Sequence, residues 1–235
     1  MCAIELRKHD HIMSESPAPC GSIALARRML ADMSERARWI YALPRSPRTL
    51  RVVTARLAAA GAGRLRQKSA ASWVVEHVTG SERCRLGAYD SADLNCLLLL
   101  GEGAEAPPVL AGILEHTGFL PQSRLWDEAL ATARPGAPRA LAILAHMCVA
   151  WSEEYADLLR RHLEADDENV RGQAVDSLCV AALLAAEPVR GAQLLQAVKQ
   201  REMSPEVADK ASAAADLLRA VAGEAATVRP ESASE

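Results

Sequence analysis

Between Trp151 and Leu184 the chain carries two helical apolar patterns on either side of one acidic turn, and no other stretch constrains the fold as tightly. Leu158, Leu159 and Leu163 recur at helical spacing before Asp166 and Asp167, and Val170, Ala174, Leu178 and Ala181 recur after them. Each stripe covers one side of a helix and must be buried against a neighbour. A shift of 37 residues places Leu158 on Leu195, Val170 on Val207, Ala174 on Ala211 and, more loosely, Ala181 on Leu218. Inward positions match while solvent positions do not, as expected of units that bury their faces on one another.

The turn itself carries a family resemblance. A leucine-bearing first helix, an Asp in the turn, then Val-Arg, an Ala and a Leu is the pattern met by Asp167, Val170, Arg171, Ala174 and Leu178. In these residues the stretch resembles HEAT repeats, the armadillo-type helical hairpins, over residues 151–222 and, by helix rhythm, back to about residue 107. The resemblance implies an α-α superhelix, a solenoid of antiparallel helix pairs, with Arg171 pairing across the turn with Asp167. In the second copy Ser204 and Ala208 replace the Asp and Arg, which suits a terminal capping unit.

Composition points the same way. Half of the 235 residues are hydrophobic and only eight are aromatic, so Ala, Leu and Val must build the core. Such a core favours closely packed helices, and an all-α fold is expected. Residues 1–21 read as a flexible arm, 22–103 as a basic helical module, 104–223 as an acidic repeat array and 224–235 as a disordered tail. Within the basic module, helices are predicted from Ser22 to about Ile40, Arg48 to Ala60, Arg64 to Val78 and Ser91 to Leu100, with a loop over Gly80–Gly87. Later helices are expected at Pro108–His116, Gln122–Ala133 and Pro138–Trp151, each introduced by proline at or near its first turn. Whether the basic module continues the solenoid is left open by the pattern.

No residue pattern marks catalysis, a cofactor or a metal. His9-Asp10-His11 has no further ligands at a recognised spacing. Gly61 to Ser69 resembles a phosphate-binding loop, but Gln67 stands where such a loop needs glycine before its lysine, so a helix-to-helix turn is preferred. Asp166, Asp167 and Glu168 sit where carboxylates cap a helix start, as do Glu153 and Glu154 after Ser152. The histidines are dispersed, and the four tryptophans are expected on apolar helix faces. Six cysteines without a CxxC pair suggest a reducing compartment, Cys96, Cys148 and Cys179 reading as buried thiols in apolar helical runs. With no apolar run of membrane length and no secretory segment, the expected location is the cytoplasm and no membrane partner is expected.

Charge separates along the chain. Residues 1–86 hold fifteen Lys and Arg against seven Asp and Glu, or +8, and residues 87–235 hold twelve against twenty-three, or −11. The expected function is a non-enzymatic protein-binding scaffold or adaptor that uses the surface of its second helices, with Gln173, Asp176, Asp209 and Lys210 as contact residues. A narrower form is an inhibitor or immunity-type protein whose acidic half masks a basic partner. The alternative is a HEAT-like DNA-binding protein or DNA glycosylase, with Arg48, Arg51, Arg56, Arg64 and Arg66 on nucleic acid. That reading lacks an aromatic cluster beside an Asp, and the acidic half would oppose phosphate.

Overall fold

The structure, a computed structural model, describes residues 21–31, 38–60, 66–69, 71–79 and 82–227. Trp39, Ile40 and Tyr41 lie in β1 (Arg38–Pro44), and Trp73, Val74 and Val75 in β3 (Ser72–Thr79). β-Branched and aromatic side chains are restricted on a helix and fit a pleated surface. With β2 (Arg66–Ser69), β4 (Glu82–Ser91) and β5 (Cys96–Glu102) they form one antiparallel sheet in the order β1-β5-β4-β3-β2. The expected all-α fold is therefore wrong: the protein is mixed α/β, and the basic module, whose continuation of the solenoid the sequence pattern leaves open, contains the sheet.

The physical reason is clearest in β5. Its run Cys96-Leu97-Leu98-Leu99-Leu100 is compatible by pattern with a buried helix or with a strand covered on both faces. Here Cys96, Leu98 and Leu100 join a large apolar cluster on one face of the sheet, and Leu97 and Leu99 a smaller one on the other. Ser91, expected to cap a helix, instead accepts a hydrogen bond from the Leu94 amide within the turn from β4 to β5 (3.2 Å). The segments read as a helix over Arg64–Val78 and a loop over Gly80–Gly87 contain β2, β3 and most of β4. Lys68-Ser69 thus stands in a strand, with a helix before it, the reverse of a phosphate-binding loop. The first helix is α1 (Gly21–Ala31), shorter than expected because Trp39 and Ile40 belong to β1.

Helices cover both faces of the sheet. On one side α2 (Pro47–Ala60) and α3 (Ala106–Thr117) press Val53, Leu57, Leu110 and Ile113 onto Leu43, Leu86, Leu97 and Leu99. On the other lie α1 and a bundle of α4 (Gln122–Leu130), α5 (Ala137–His146), α6 (Glu153–Leu163), α7 (Glu168–Leu184), α8 (Pro188–Arg201) and α9 (Pro205–Thr227). Residues 224–227, expected to be a disordered tail, are the last turn of α9. Prolines open α3 and α5 within the first two positions and Pro121 precedes α4, as the sequence predicts. The larger cluster runs from Ile23 through Ile40 and Leu100 to Leu218, so one core joins residues of both predicted modules.

The bundle is built around α7. From Ser177 to Leu184 every residue of α7 is buried, and α1, α5, α6, α8 and α9 all pack against it. A helix apolar on every side belongs inside a fold. Its end is closed by a Schellman-type pair, Glu187 N–H to Ala182 O (2.8 Å) and Ala186 N–H to Leu183 O, with Ala186 in the left-handed region at φ 57°.

Sheet and bundle are also joined by charge. Glu102, at the end of β5 and 2 % exposed, lies between its two cross-strand neighbours, 3.7 Å from Arg38 Nε and 4.0 Å from Arg85 Nη1. Arg38 donates in turn to Leu184 O at the end of α7 (3.2 Å). At the other end of the strand, Arg139 of α5 donates to Leu94 O and Asn95 O.

Candidate functional site

The acidic turns that open the second half of the chain are helix starts. Ser152 Oγ accepts from the Tyr155 amide (3.1 Å) and Asp167 Oδ1 from the Asn169 amide (2.8 Å), with Glu153, Glu154 and Glu168 in the first turns that follow. Such groups satisfy free amides and face the positive end of the helix dipole. Arg171 does not pair with Asp167 as the family pattern implies. Its Nε and Nη2 contact both carboxylate oxygens of Glu202 (2.9 and 3.0 Å), and Nη1 donates to Ala165 O and Asp166 O (2.9 and 2.8 Å). The guanidinium thereby clamps the α6–α7 turn to the α8–α9 connection, and it holds the Glu202 carboxyl below its ordinary pKa.

The two hairpins sit side by side at the 37-residue offset. Glu153 meets Arg190 and Glu164 meets Arg201 (3.4 Å), both pairs separated by 37 positions. This stacking decides the fate of the four residues expected to contact a partner. Asp176 and Lys210 face each other, Oδ2 to Nζ 2.7 Å, with Asp176 only 14 % exposed. Position 176 is one turn beyond the equivalent of 210, so α7 and α9 bring these two opposite charges together. Gln173 and Asp209 do point to solvent. Glu206, one turn before Asp209, is exposed as well. The carboxy-terminal half of α7 is unavailable, because α1 packs on it and every residue from Ser177 to Leu184 is buried.

Arginines expected on nucleic acid lie on the opposite layer. Arg48, Arg51 and Arg56 are exposed on α2, whose sequence holds no acidic residue. Arg56 Nη2 donates to His116 Nε2 of α3 (2.8 Å), and His116 Nδ1 donates to Gly112 O (2.9 Å). Beside them is a cleft of about 270 Å³ lined by Arg48, Thr49, Val52, His116 and Thr117. Arg64 and the side chain of Arg66 lie outside the described residues, as do His9-Asp10-His11, Cys2, Cys20 and the arm over residues 1–20.

The described thiols are buried. Burial pushes Cys84 and Cys148 up to about 11 and Cys96 up to about 12, so each stays protonated at neutral pH and is a poor nucleophile. Cys96 opens β5 and Cys148 follows α5, neither within a helix; Cys179 is in α7. Trp39 and Trp73 are on strands, while Trp126, Trp151 and Tyr155 form an aromatic cluster at the start of α6, with Arg190 stacked 5.3 Å over Trp151. No group of three His, Cys, Asp or Glu able to hold a metal occurs among the described residues. Nor is any described helix long and apolar enough to cross a membrane.

His162 is the buried titratable group whose effect on stability can be read directly. Its Nε2 donates to Ala129 O (2.7 Å), and Nδ1 is buried without a partner, so a second proton would place an unpaired charge in the core. Burial therefore lowers its pKa below the ordinary 6.5. As pH falls through about 6.5 the unfolded chain binds a proton that the folded chain refuses, so stability contributed by the neutral ring is present above that pH and lost below it. Denaturant unfolding between pH 8 and 5 is expected to show this loss. His162→Gln should be less stable at pH 8 and flatter between 6.5 and 5, and an unchanged slope would rule His162 out as its source.

No known family model matches the chain, and no curated protein matches it.

Proposed function

We propose that the protein is a non-enzymatic binding module that holds a basic protein partner on the open part of the α7–α9 surface. In this reading α6–α7 and α8–α9 act as two stacked HEAT-like hairpins, the second presenting its acidic outer turn. Asp209 carries the argument: it is exposed and meets no cation among the described residues, whereas Glu153, Glu164, Asp176 and Glu202 each have one. A carboxylate without a cation among the described residues, one turn from the exposed Glu206, is free to meet a lysine or arginine on another chain. The −11 over residues 87–235 would speed approach of such a partner and make binding depend on salt. Masking of a basic effector, as immunity proteins do, is the narrower form of the same reading.

The test is capture of partners from the source cell by the wild-type chain and by the double variant Glu206→Lys, Asp209→Lys. A basic partner retained at low salt, released at high salt and weakened on the order of tenfold by the double variant is expected. Equal capture by both chains, or an acidic partner held at all salt concentrations, would remove the reading.

A further inference from the structure

We propose that the cleft between the start of α2 and the end of α3 binds a phosphate-class anion carried by a small molecule. Its walls are Arg48, Thr49 and Val52 from α2 and His116 and Thr117 from α3. A volume of about 270 Å³ accepts a phosphoryl group and a few further atoms, and lies below the roughly 300–1,000 Å³ of sites for larger ligands. Elsewhere arginines that approach carboxylates pair with them, as Arg45 does with Asp90 and Arg171 with Glu202. On α2 none of the three meets one among the described residues, and Arg48 retains all five of its N–H donors.

Arg48 and Arg56 stand two helical turns apart, about 12 Å in rise, on either side of Val52. Arg56, which does not line the cleft, fixes the ring of His116, which does: because arginine only donates, His116 Nε2 must be the acceptor and Nδ1 carries the proton given to Gly112 O. The hydroxyls are already engaged, Thr49 with Ser46 Oγ (2.8 Å) and Thr117 with Ile113 O (3.0 Å). Recognition therefore falls to the Arg48 guanidinium fork, which matches phosphate oxygens in pairs. A nucleic-acid strand would need a track of cations, whereas only Arg48 of the three α2 arginines lines this cleft.

Titration of the full chain with inorganic phosphate, at ionic strength held constant with chloride, tests this through the NMR signal of the His116 ring. A saturable shift is expected, weakened about tenfold or more in Arg48→Ala, partly recovered in Arg48→Lys and unaffected by Arg124→Ala on exposed α4. Arg48 is exposed and has no ion-pair or hydrogen-bond partner among the described residues, so its variants should keep the wild-type melting temperature. A drift that never saturates, or wild-type affinity in Arg48→Ala, overturns the site. Tighter binding of a single-stranded oligonucleotide, with a salt dependence showing release of several ions, overturns the small-ligand assignment and gives the face to a polyanion.

Discussion

Replacing Glu102 by alanine is expected to cost about 3 kcal/mol of folding stability, the lower end of what breaking a buried ion pair costs. The carboxylate is 2 % exposed and faces two arginines whose side chains are 17 % and 32 % exposed. Removing it leaves two positive charges on the strands either side of β5, neither fully able to recover water. Arg38 is then drawn from the Leu184 carbonyl, which loosens the contact between the sheet and α7. The lower end applies because Arg85 is partly solvated and both separations exceed hydrogen-bond length. Urea unfolding followed by far-UV circular dichroism measures the loss. Glu153→Ala, which breaks the exposed pair with Arg190 and removes one first-turn carboxylate, serves as the reference and should change stability by no more than about 1 kcal/mol. Equal effects of the two variants would mean that Glu102 is not the electrostatic link between sheet and bundle.

The same two carboxylates show how far local pattern reaches. Glu153 is read correctly from sequence because its role is local: it follows Ser152 in a first turn, and capping depends on residues within one turn of each other. Glu102 is not, because its partners are 64 and 17 positions away and are brought together only by strand register. The missed sheet has a related cause. Eight aromatics in 235 residues is a low average, yet Trp39, Tyr41, Trp73 and Tyr89 are concentrated in strands, where an average over the chain hides them. For β5 the leucine run has no alternation to read, since both of its faces are buried. In the candidate surface the 37-residue shift already placed residue 173 beside 210 and 176 one turn further, and the opposite charges of Asp176 and Lys210 were the available sign that they meet. Glu202 is harder to find. It aligns with Ala165, outside the turn pattern, and becomes the partner of Arg171 only through the distance between stacked hairpins.

Gly191→Ala is expected to destabilise the protein by about 2–3 kcal/mol, although alanine normally favours a helix over glycine by about 1 kcal/mol. Gly191 lies in the first turns of α8, where that helix comes closest to α7 and α9. A β-carbon there would be 2.3 Å from Ala182 Cβ and 2.8 Å from Leu218 Cδ1. Leu218 can change rotamer, but Ala182 Cβ is fixed to the backbone of the central helix, so α8 itself would have to move outward. Gly172, on α7, is the internal comparison. Its added β-carbon would stand 3.8 Å from Lys210 Nζ and 3.9 Å from Val207 Cγ2, ordinary contact distances, so Gly172→Ala should stabilise by about 1 kcal/mol. One substitution at two buried helical glycines thus carries opposite signs. Denaturant midpoints at unchanged m-value read both. If Gly191→Ala gained stability as Gly172→Ala does, α8 could not be seated on Ala182, and the close stacking that pairs Glu153 with Arg190 and Arg171 with Glu202 would have to be redrawn.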